Sequence, residues 1–386
     1  MQPWQDEAID RRVNEFVESA KLKLGGNSSK RDKEGDFSFE RWNSASQLGV
    51  LSMCMPEPFG QNKSMVETIA AFEGLSEGCR DGGFLFALFN QVFGIQLTLV
   101  NRASDKLKSL YLPPLISGES LACYAFTEES GGSDLYSMKT TATETKDGFI
   151  LNGKKTYLTN SPFSNLAIVF AKTQDNKSPF CLTAFFVDLS WKGVTQGRVF
   201  EKMGLRTVHM GELIFNNVFI PADHVISAKG AGMRILTEST IQERAFMTVS
   251  ALGAMRRAIE TCTDHCKVRI SNDKPIGSFQ QVSSKLANMI ATYRVCRQLQ
   301  YDIASKFDTK VSVNSLAESA AINKLFITEN LIKFEMDAMQ MLGVRGFLLD
   351  NFVQQDLRDS LAGTIWAGTS ETLRNTIAKL HGLPVT

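Results

Sequence analysis

A turn dense in hydroxyls, glycines and carboxylates runs from Thr127 to Asp134, just after a short apolar stretch that contains Tyr124 and Phe126. Glycines such as Gly132 let a backbone turn tightly and bring its N–H groups close to a flat or anionic ligand. Ser, Gly and Asp also fill ordinary surface turns for local backbone reasons. Taken alone, the turn fits either a ligand-binding loop or a simple connection.

An aromatic ring and a hydroxyl, those of Tyr157 and Thr159, stand two residues apart in a segment with the pattern of a β-strand. Side chains two residues apart on a strand lie on the same face. In flavin chemistry such a ring can cover one face of the isoalloxazine, while the hydroxyl donates to N5, the atom that receives a hydride. The same pair is also ordinary as cross-strand packing. Flavin-dependent oxidation is therefore one hypothesis.

Three blocks with different hydrophobic periods must position these residues. Apolar residues recur at helical spacing from residue 7 to about 116, alternate as in strands from about 120 to 225, and return to helical spacing beyond Gly230. Asn152-Gly153 lies between alternating residues and predicts a β-hairpin turn. The long segments 233–270, 277–307, 313–342 and 369–381 predict an up-down helical bundle. We therefore predict a helical domain (1–118), an antiparallel β domain (119–226) and a helical bundle (227–386).

The composition argues against several classes of partner. The chain has 42 Lys and Arg against 41 Asp and Glu, so it lacks the overall field that gathers nucleic acid or an anionic membrane. We expect charges to interrupt every apolar stretch before the roughly 18 to 20 residues that a bilayer requires. The seven cysteines are scattered and form no CxxC pair, which indicates reduced thiols. We expect a cytoplasmic protein without nucleic-acid or membrane partners and without a metal site.

Several motifs, in the right order, resemble one family. TEESGGSD (127–134) and NGKKTYLTN (152–160) resemble the flavin-binding TEPxAGSD and NGxKxWITN signatures of acyl-CoA dehydrogenases. Residues 202–226, 230–255 and 358–382 resemble the family's last β segment, first long bundle helix and C-terminal helix. The resemblance implies a mostly α, α+β fold with an N-terminal helical domain, a β-barrel-like middle domain and a C-terminal four-helix bundle. It also implies a homotetramer with FAD at the subunit contacts.

The resemblance further implies two groups of cofactor-binding residues. Those expected to line the flavin are Tyr124, Phe126, Thr127, Gly132, Ser133, Tyr157 and Thr159, with Tyr157 replacing the common tryptophan. Those expected to reach the FAD of a neighbouring subunit are Arg269, Gln280, Gln340, Gly343, Thr369 and Glu371.

One of these cofactor assignments departs from the family pattern. Arg269 begins a segment that matches the family's RxxFGxPI except at Asn272 and Asp273, where the Phe and Gly are lost. A guanidinium matches the paired oxygens of a pyrophosphate. Arg269 is therefore either such a contact or a solvated cation at a helix end.

The implied reaction requires a base for the weakly acidic α-proton of a thioester. A carboxylate in an apolar pocket is suited to this because burial raises its pKa. Many family members place it in YEGT before the last helix, where this chain has Trp366-Ala367-Gly368-Thr369. Isovaleryl- and long-chain acyl-CoA dehydrogenases instead place it on the first bundle helix, at the position of Glu243. Without this correlation, Glu243 would be an ordinary solvated neighbour of Arg244.

The substrate-binding residues implied by the resemblance are Ser133, Arg244, Ala367 and Gly368. Arg244 would orient the carboxylate or the pantetheine arm, and the N–H of Ala367 would polarise the thioester carbonyl. Four aromatic residues either shorten the acyl pocket or form ordinary core, namely Phe84, Phe86, Phe89 and Phe93.

The resulting hypothesis is FAD-dependent α,β-dehydrogenation of a small acyl thioester. The acyl group would be carried by CoA, or by a carrier protein as in related enzymes that oxidise prolyl groups. The electron acceptor would be an electron-transfer flavoprotein or oxygen. Two alternatives remain on the same fold, a flavin monooxygenase or oxygen-using oxidase, and a flavin-binding protein without catalytic activity.

Overall fold

The N-terminal part of the chain is a group of helices whose starts are set by side-chain caps. The computed structural model describes residues 7–132, 134–174, 178 and 180–385. Ser64 forms a capping box with Glu67, and Asp81 accepts a hydrogen bond from the N–H of Phe84. The helices are α1 (Glu7–Lys23), α2 (Ser28–Glu34), α3 (Phe39–Gln47), α4 (Met65–Cys79), α5 (Gly82–Phe89), a π-helix (Asn90–Gln96), α6 (Leu97–Arg102) and α7 (Asp105–Ile116).

Helix α5, the π-helix and α6 form one continuous helical run, Gly82–Arg102, at the centre of this group. The run carries no charge before Arg102, so the expectation that charges interrupt every apolar stretch early is wrong here. In the described part of the chain it is the one helix long and apolar enough to cross a bilayer, and 89% of that window is buried inside the protein. Such burial is typical of a central core helix.

The middle part is a seven-stranded sheet in the order β1-β4-β2-β3-β7-β6, with β5 paired to β4. Its strands are β1 (Ala122–Ala125), β2 (Thr141–Glu144), β3 (Gly148–Thr159), β4 (Leu166–Lys172), β5 (Leu182–Asp188), β6 (Val194–Phe200) and β7 (Met210–Pro221). Most neighbouring strands are antiparallel, as predicted. However, β1 and β2 each pair parallel to β4. A parallel pair needs a long connection, and the β2–β3 hairpin lies within the one that joins β1 to β4.

The predicted hairpin turn at Asn152-Gly153 is wrong, because both residues lie inside β3. Gly153 adjoins a register shift and has a φ of 146°. A Cβ at this position would lie 2.5 Å from the Thr140 hydroxyl oxygen, so close approach of another segment requires the glycine. The turn between β2 and β3 lies at residues 145–147, where the N–H of Thr145 donates to the Gly148 carbonyl at 2.8 Å.

The C-terminal part is a bundle of long helices with shorter helices packed beside it. Its elements are α8 (Gly232–Phe246), α9 (Val249–Val268), the hairpin strands β8 (Ile270–Ser271) and β9 (Lys274–Pro275), α10 (Gln280–Asp308), α11 (Ala317–Leu342), α12 (Val344–Phe347), α13 (Phe352–Leu361) and α14 (Ser370–Leu380). Helices α12 and α13 were not predicted.

The segment expected to be one helix over 233–270 breaks after Phe246. Two buried amides fix the break. Gln300 donates to the Ala245 carbonyl at 2.7 Å, and Asn323 donates to the same carbonyl at 3.2 Å and to the Thr248 hydroxyl at 2.9 Å. This network holds the end of α8 in place, which is where Glu243 and its neighbours lie.

A buried glutamate joins the N-terminal helices to the bundle. Glu73 on α4 is fully buried. Its carboxylate accepts hydrogen bonds from Tyr293 Oη at 2.7 Å, Arg297 Nε at 3.1 Å and Tyr301 Oη at 2.6 Å. Because its oxygens are matched by donors, this buried charge fixes α4 against α10.

Candidate active site

Glu243 lies on α8 and is 8% exposed. Among the described residues its carboxylate has a single hydrogen-bond donor, the Asn90 amide, with 3.4 Å between Nδ2 and Oε1. Burial raises the pKa of Glu243 to about 7, and the neighbouring positive charge of Arg244 opposes this increase only in part. A carboxylate that ionises near neutral pH can accept a proton from a weakly acidic carbon.

The Glu243 carboxylate lies against Gly94 in the π-helix. A Cβ at this position would lie 2.8 Å from Glu243 Oε1 and 3.2 Å from Asn90 Nδ2. A side chain here would therefore displace the carboxylate, so the glycine lets Glu243 and the Asn90 amide lie close to the backbone of the π-helix. Such π-helical segments are rare and occur often at functional sites.

The turn at residues 366–369 is held against α8 and α11 by two cations. Arg244 Nε donates to the Ala367 carbonyl at 2.7 Å, and Lys324 Nζ donates to the Gly368 carbonyl at 2.8 Å. Ala367 has a φ of 49°, a left-handed conformation that persists only when its surroundings impose it. The N–H of Ala367 has no acceptor in the described part of the chain. It is free to donate to a ligand carbonyl.

Lys324 was not identified from the sequence. Burial and the nearby charge of Arg244 together lower its pKa to about 7. Its Nζ lies 5.1 Å from the ring centroid of Trp366. The available signal was a lone lysine on an apolar helix face, since Ala320 and Ile327 on either side of it are also buried.

Only one of the four phenylalanines considered for the acyl pocket lies at this turn. Phe86 is half-buried and meets the Trp366 ring edge to face, with 5.7 Å between centroids. Both rings line a cavity of about 70 Å³. The rings of Phe84, Phe89 and Phe93 are at most 1% exposed and belong to the core.

The expected flavin loop, residues 126–132, is fixed to β3 by a buried ion pair. Lys155 Nζ donates to Glu128 Oε1 at 2.9 Å and to the Phe126 carbonyl at 3.1 Å, while the N–H of Thr156 donates to the Thr127 carbonyl at 3.0 Å. Burial lowers the pKa of Lys155 to about 8, although Glu128 opposes this. These anchors were not predicted. The loop is held rigidly across the strand that carries Tyr157.

The residues expected to line the flavin differ in burial. Tyr124 is buried, and its hydroxyl lies 2.6 Å from Ser239 Oγ on α8, one turn before Glu243. Phe126 and Thr127 are half-buried, and the place of a Cβ on Gly132 is 3.4 Å from Thr127 Cγ2. Ser133 lies outside the described residues.

Tyr157 and Thr159 share the outer face of β3, as strand alternation predicts, because the buried Leu158 lies between them. Tyr157 adjoins a register shift and has a φ of 58°. Its ring is 49% exposed and packs against Phe200, with 5.0 Å between centroids. The N–H and hydroxyl of Thr127 have no partner among the described residues. An exposed ring near unpartnered donors suits a flat, polar-edged cofactor such as a flavin.

Comparison with known proteins decides the family. Models of the N-terminal, middle and C-terminal domains of acyl-CoA dehydrogenases match residues 5–119, 123–218 and 230–381. The L-prolyl-[peptidyl-carrier protein] dehydrogenase of a Serratia species is 30% identical over 90% of this chain and 89% of its own length. The chain belongs to the acyl-CoA dehydrogenase family.

Other members of the family are similar along nearly the whole chain. Mitochondrial isovaleryl-CoA dehydrogenase of Pongo abelii is 30% identical over 90% of this chain and 82% of its own length. The crystal structure of the prolyl acyl carrier protein oxidase AnaB has a TM-score of 0.95 at 30% identity, covering 98% of this chain and 100% of AnaB.

An FAD complex of PigA has a TM-score of 0.93 at 29% identity, covering 98% of this chain and 99% of PigA. The predicted family, three-part fold and class of flavin oxidoreductase are confirmed. FAD, the predicted cofactor, is the one that the PigA complex carries, so this prediction is confirmed as well.

Four residues expected to reach FAD in a neighbouring subunit lie far from Glu243. Arg269, Gln280, Gln340 and Gly343 are all exposed at the end of the bundle where α9 and α11 finish and α10 starts. Helix α9 has 20 residues, which corresponds to about 30 Å. The fold separates these residues from the Glu243 site of the same chain, and their contact with another subunit's FAD stays a prediction.

The segment after Arg269, where Asn272 and Asp273 replace the family's Phe and Gly, forms a β-hairpin. Asn272 and Asp273 have φ values of 48° and 58°, and they connect β8 to β9. Both residue types tolerate the left-handed conformation that a tight hairpin needs. The last two residues expected to reach the neighbouring FAD lie at the start of α14. Thr369 caps this helix by accepting a hydrogen bond from the N–H of Thr372, and Glu371 lies in the first turn of the helix.

Proposed function

We propose that this protein is an FAD-dependent dehydrogenase that introduces a Cα=Cβ double bond into a small acyl thioester, with Glu243 as the base. The observation that carries the proposal is the environment of Glu243. Its carboxylate is buried, its pKa is about 7, and it lies against Gly94 and the Asn90 amide. A general base is most effective when its pKa lies near the working pH.

The chain's own residues would divide the remaining work. The N–H of Ala367 would hold the thioester carbonyl, and it would bind more strongly as negative charge develops on that oxygen. Glu243 would take the α-proton. FAD, when bound, supplies the acceptor for the hydride that leaves the β-carbon. The residues that would hold it are Tyr124, Phe126, Thr127, Gly132, Ser133, Tyr157 and Thr159, with Arg269, Gln280, Gln340, Gly343, Thr369 and Glu371 contacting the FAD of a neighbouring subunit.

Substrate and partners are proposed from the pocket and the relatives. The edge-to-face contact of Phe86 with Trp366 favours a small acyl group. The relatives' names give two kinds of carrier, CoA and a carrier protein. We propose one of these as the carrier, an electron-transfer flavoprotein or oxygen as electron acceptor, and a homotetramer.

All seven cysteines are free, which supports a cytoplasmic location. The domain boundaries 1–118, 119–226 and 227–386 stay as predicted.

The test is anaerobic mixing of the FAD-loaded protein with acyl thioesters on CoA and on carrier proteins, following the flavin absorbance. Bleaching without oxygen is expected with the correct thioester. Glu243→Gln should slow this bleaching by about a thousandfold. Glu238→Gln is the control. It makes the same substitution on the same helix, but Glu238 forms an ion pair with Arg102, so the bleaching rate should stay close to that of the wild type.

Two other results would replace the proposal. Bleaching that occurs only with an added reductant, followed by consumption of oxygen, indicates a monooxygenase. Absence of bleaching with every thioester, although FAD is bound, indicates a flavin-binding role. Rapid bleaching in Glu243→Gln would show that the protein is a dehydrogenase whose base is a residue other than Glu243.

A further inference from the structure

Asn90 is a buried amide with one hydrogen-bonding atom unmatched. Its residue is 6% exposed, and Nδ2 faces Glu243 Oε1 at 3.4 Å. No donor among the described residues reaches Oδ1. A buried polar atom without a partner is destabilising. Other buried amide oxygens, such as Gln96 Oε1 in the same π-helix, also lack a partner in the described part of the chain, but the Asn90 oxygen belongs to the side chain that contacts Glu243, so it can meet a ligand bound at that carboxylate.

The adjacent residue shows that buried amides in this π-helix can be fully matched. Gln91 is fully buried. Its Nε2 donates to the Ser120 carbonyl at 3.1 Å, and its Oε1 accepts from the N–H of Ala122 at 3.1 Å. Gln91 therefore fixes the π-helix to β1, whereas the Asn90 oxygen contributes nothing to holding the fold together.

The unmatched oxygen belongs to the side chain that contacts the Glu243 carboxylate. Both side chains lie against Gly94, where a Cβ would be 3.2 Å from Asn90 Nδ2 and 2.8 Å from Glu243 Oε1. An acyl group placed so that its α-proton reaches this carboxylate would therefore lie beside the amide as well. An acyl chain made only of CH₂ groups would cover the amide oxygen without satisfying it, which is unfavourable. A ligand with an N–H donor at this position would satisfy it.

We propose that the acyl group carries an amine on the carbon that loses its proton, and that Asn90 Oδ1 accepts a hydrogen bond from this amine. The inference rests on the proposed dehydrogenase function and names its substrate class, an α-aminoacyl thioester. The amide lies against the carboxylate that takes the α-proton, so the group it recognises is at or beside the α-carbon. Named relatives that act on prolyl groups support an amine over a hydroxyl as the donor.

The test compares two thioesters of the same shape on the same carrier, prolyl and cyclopentanecarbonyl, in which CH₂ replaces the ring N–H. The anaerobic bleaching rate is measured over a range of concentrations. In the wild type, the ratio of limiting rate to half-saturating concentration should be about tenfold higher for prolyl. Asn90→Leu should remove this preference, and Asn90→Asp, which keeps an acceptor oxygen, should retain it.

The control variant is Asn101→Leu, which removes an exposed amide from the same helical run and should leave the preference intact. FAD absorbance and thermal unfolding establish that each variant is folded. If Asn90→Leu does not fold, the wild type and Asn90→Asp still decide the question. Both keep an acceptor oxygen at residue 90, so both must bleach faster with the prolyl thioester than with the cyclopentanecarbonyl thioester.

Three results would overturn the inference. One is bleaching of the wild type at equal rates by both thioesters, and another is an equal loss with both in Asn90→Leu. A third is faster bleaching by a 2-hydroxyacyl thioester than by prolyl, which would make the donor a hydroxyl. In each case a thioester still bleaches the flavin, so the dehydrogenase function stands. If no thioester of any class does so, the proposed function itself fails.

Discussion

Glu243 and Glu73 are both glutamates buried in helices, yet their carboxylates have very different surroundings. Glu73 accepts hydrogen bonds from two tyrosine hydroxyls and an arginine, each at 3.1 Å or less. Glu243 has one amide donor at 3.4 Å, and the guanidinium of Arg244 is directed to the Ala367 carbonyl instead. The Glu73 carboxylate is held by a full set of donors, while burial raises the pKa of Glu243 to about 7.

A third buried glutamate shows which part of this difference indicates function. Neither carboxylate oxygen of Glu335 has a partner among the described residues. Burial and the nearby charge of Asp356 raise the pKa of Glu335 well above its usual range. A raised pKa also occurs in structural groups. What distinguishes Glu243 is its place next to Arg244, which holds the turn that carries the free N–H of Ala367.

The largest loss of stability is expected from removing the matched carboxylate. Glu73→Gln removes the charge of one of the two carboxylates that pair with the buried guanidinium of Arg297, the other being Asp10, so the free energy of unfolding should fall by about 3 kcal/mol. Denaturant unfolding measures this, with the exposed Glu18→Gln as control. The bleaching rate per bound FAD should be unchanged. Equal stability of the two variants would contradict a structural role for Glu73.

The unmatched carboxylate should have the opposite effect on stability. The folded pKa of Glu243 is about 7, whereas an unfolded glutamate has a pKa of about 4.3. Between these values the folded state binds the additional proton, so stability falls as pH rises and the loss is complete above pH 7. Glu243→Gln, neutral throughout, should therefore be more stable than the wild type by about 4 kcal/mol at pH 8.

The same comparison near pH 4.5 should show little difference, because the wild-type carboxyl is then protonated in the folded state. Thermal and denaturant unfolding at the two pH values measure the change. A gain in stability that is the same at both pH values would show that packing, and not ionisation, distinguishes the two side chains.

A smaller effect is expected at Lys324, which acts through the turn at residues 366–369. Lys324→Met keeps the packing against Trp366 but removes the bond to the Gly368 carbonyl, so the N–H of Ala367 is less well positioned. The limiting bleaching rate should fall about tenfold with little change in half-saturation, because this donor matters most as charge develops. Lys333→Met, at an exposed position of the same helix, is the control. A loss of thermal stability without a loss of rate would contradict the positioning role.

Local sequence patterns predicted the stretches of consecutive residues to which flavin contacts are assigned, and those contacts stay a prediction. The loop at residues 126–132 and the strand with Tyr157 and Thr159 are short motifs, and the shared face of Tyr157 and Thr159 follows from strand alternation. Glu243 required the correlation with Ala367, which comes from the family and not from periodicity. In each of these cases the informative residues are close in sequence or aligned by a known pattern.

The partners of Glu243 could not be predicted, because they meet it only after folding. Asn90 is 153 residues away in sequence, and its segment has the apolar spacing of an ordinary helix, so the π-helix was not predicted. Lys324 contacts a turn 44 residues further along the chain. Gly153 was misassigned for the same reason, since its close contact with Thr140 is tertiary.

The most direct test of the central claim is the pH dependence of anaerobic flavin bleaching. It should use an acyl thioester without a titratable group, so that any ionisation belongs to the protein. The limiting rate should rise with pH through one apparent pKa of about 7 and then level off. Glu243→Gln should be slow at every pH. A wild-type rate that does not vary between pH 5 and 9, or a Glu243→Gln variant as fast as the wild type, would contradict the assignment of Glu243 as the base.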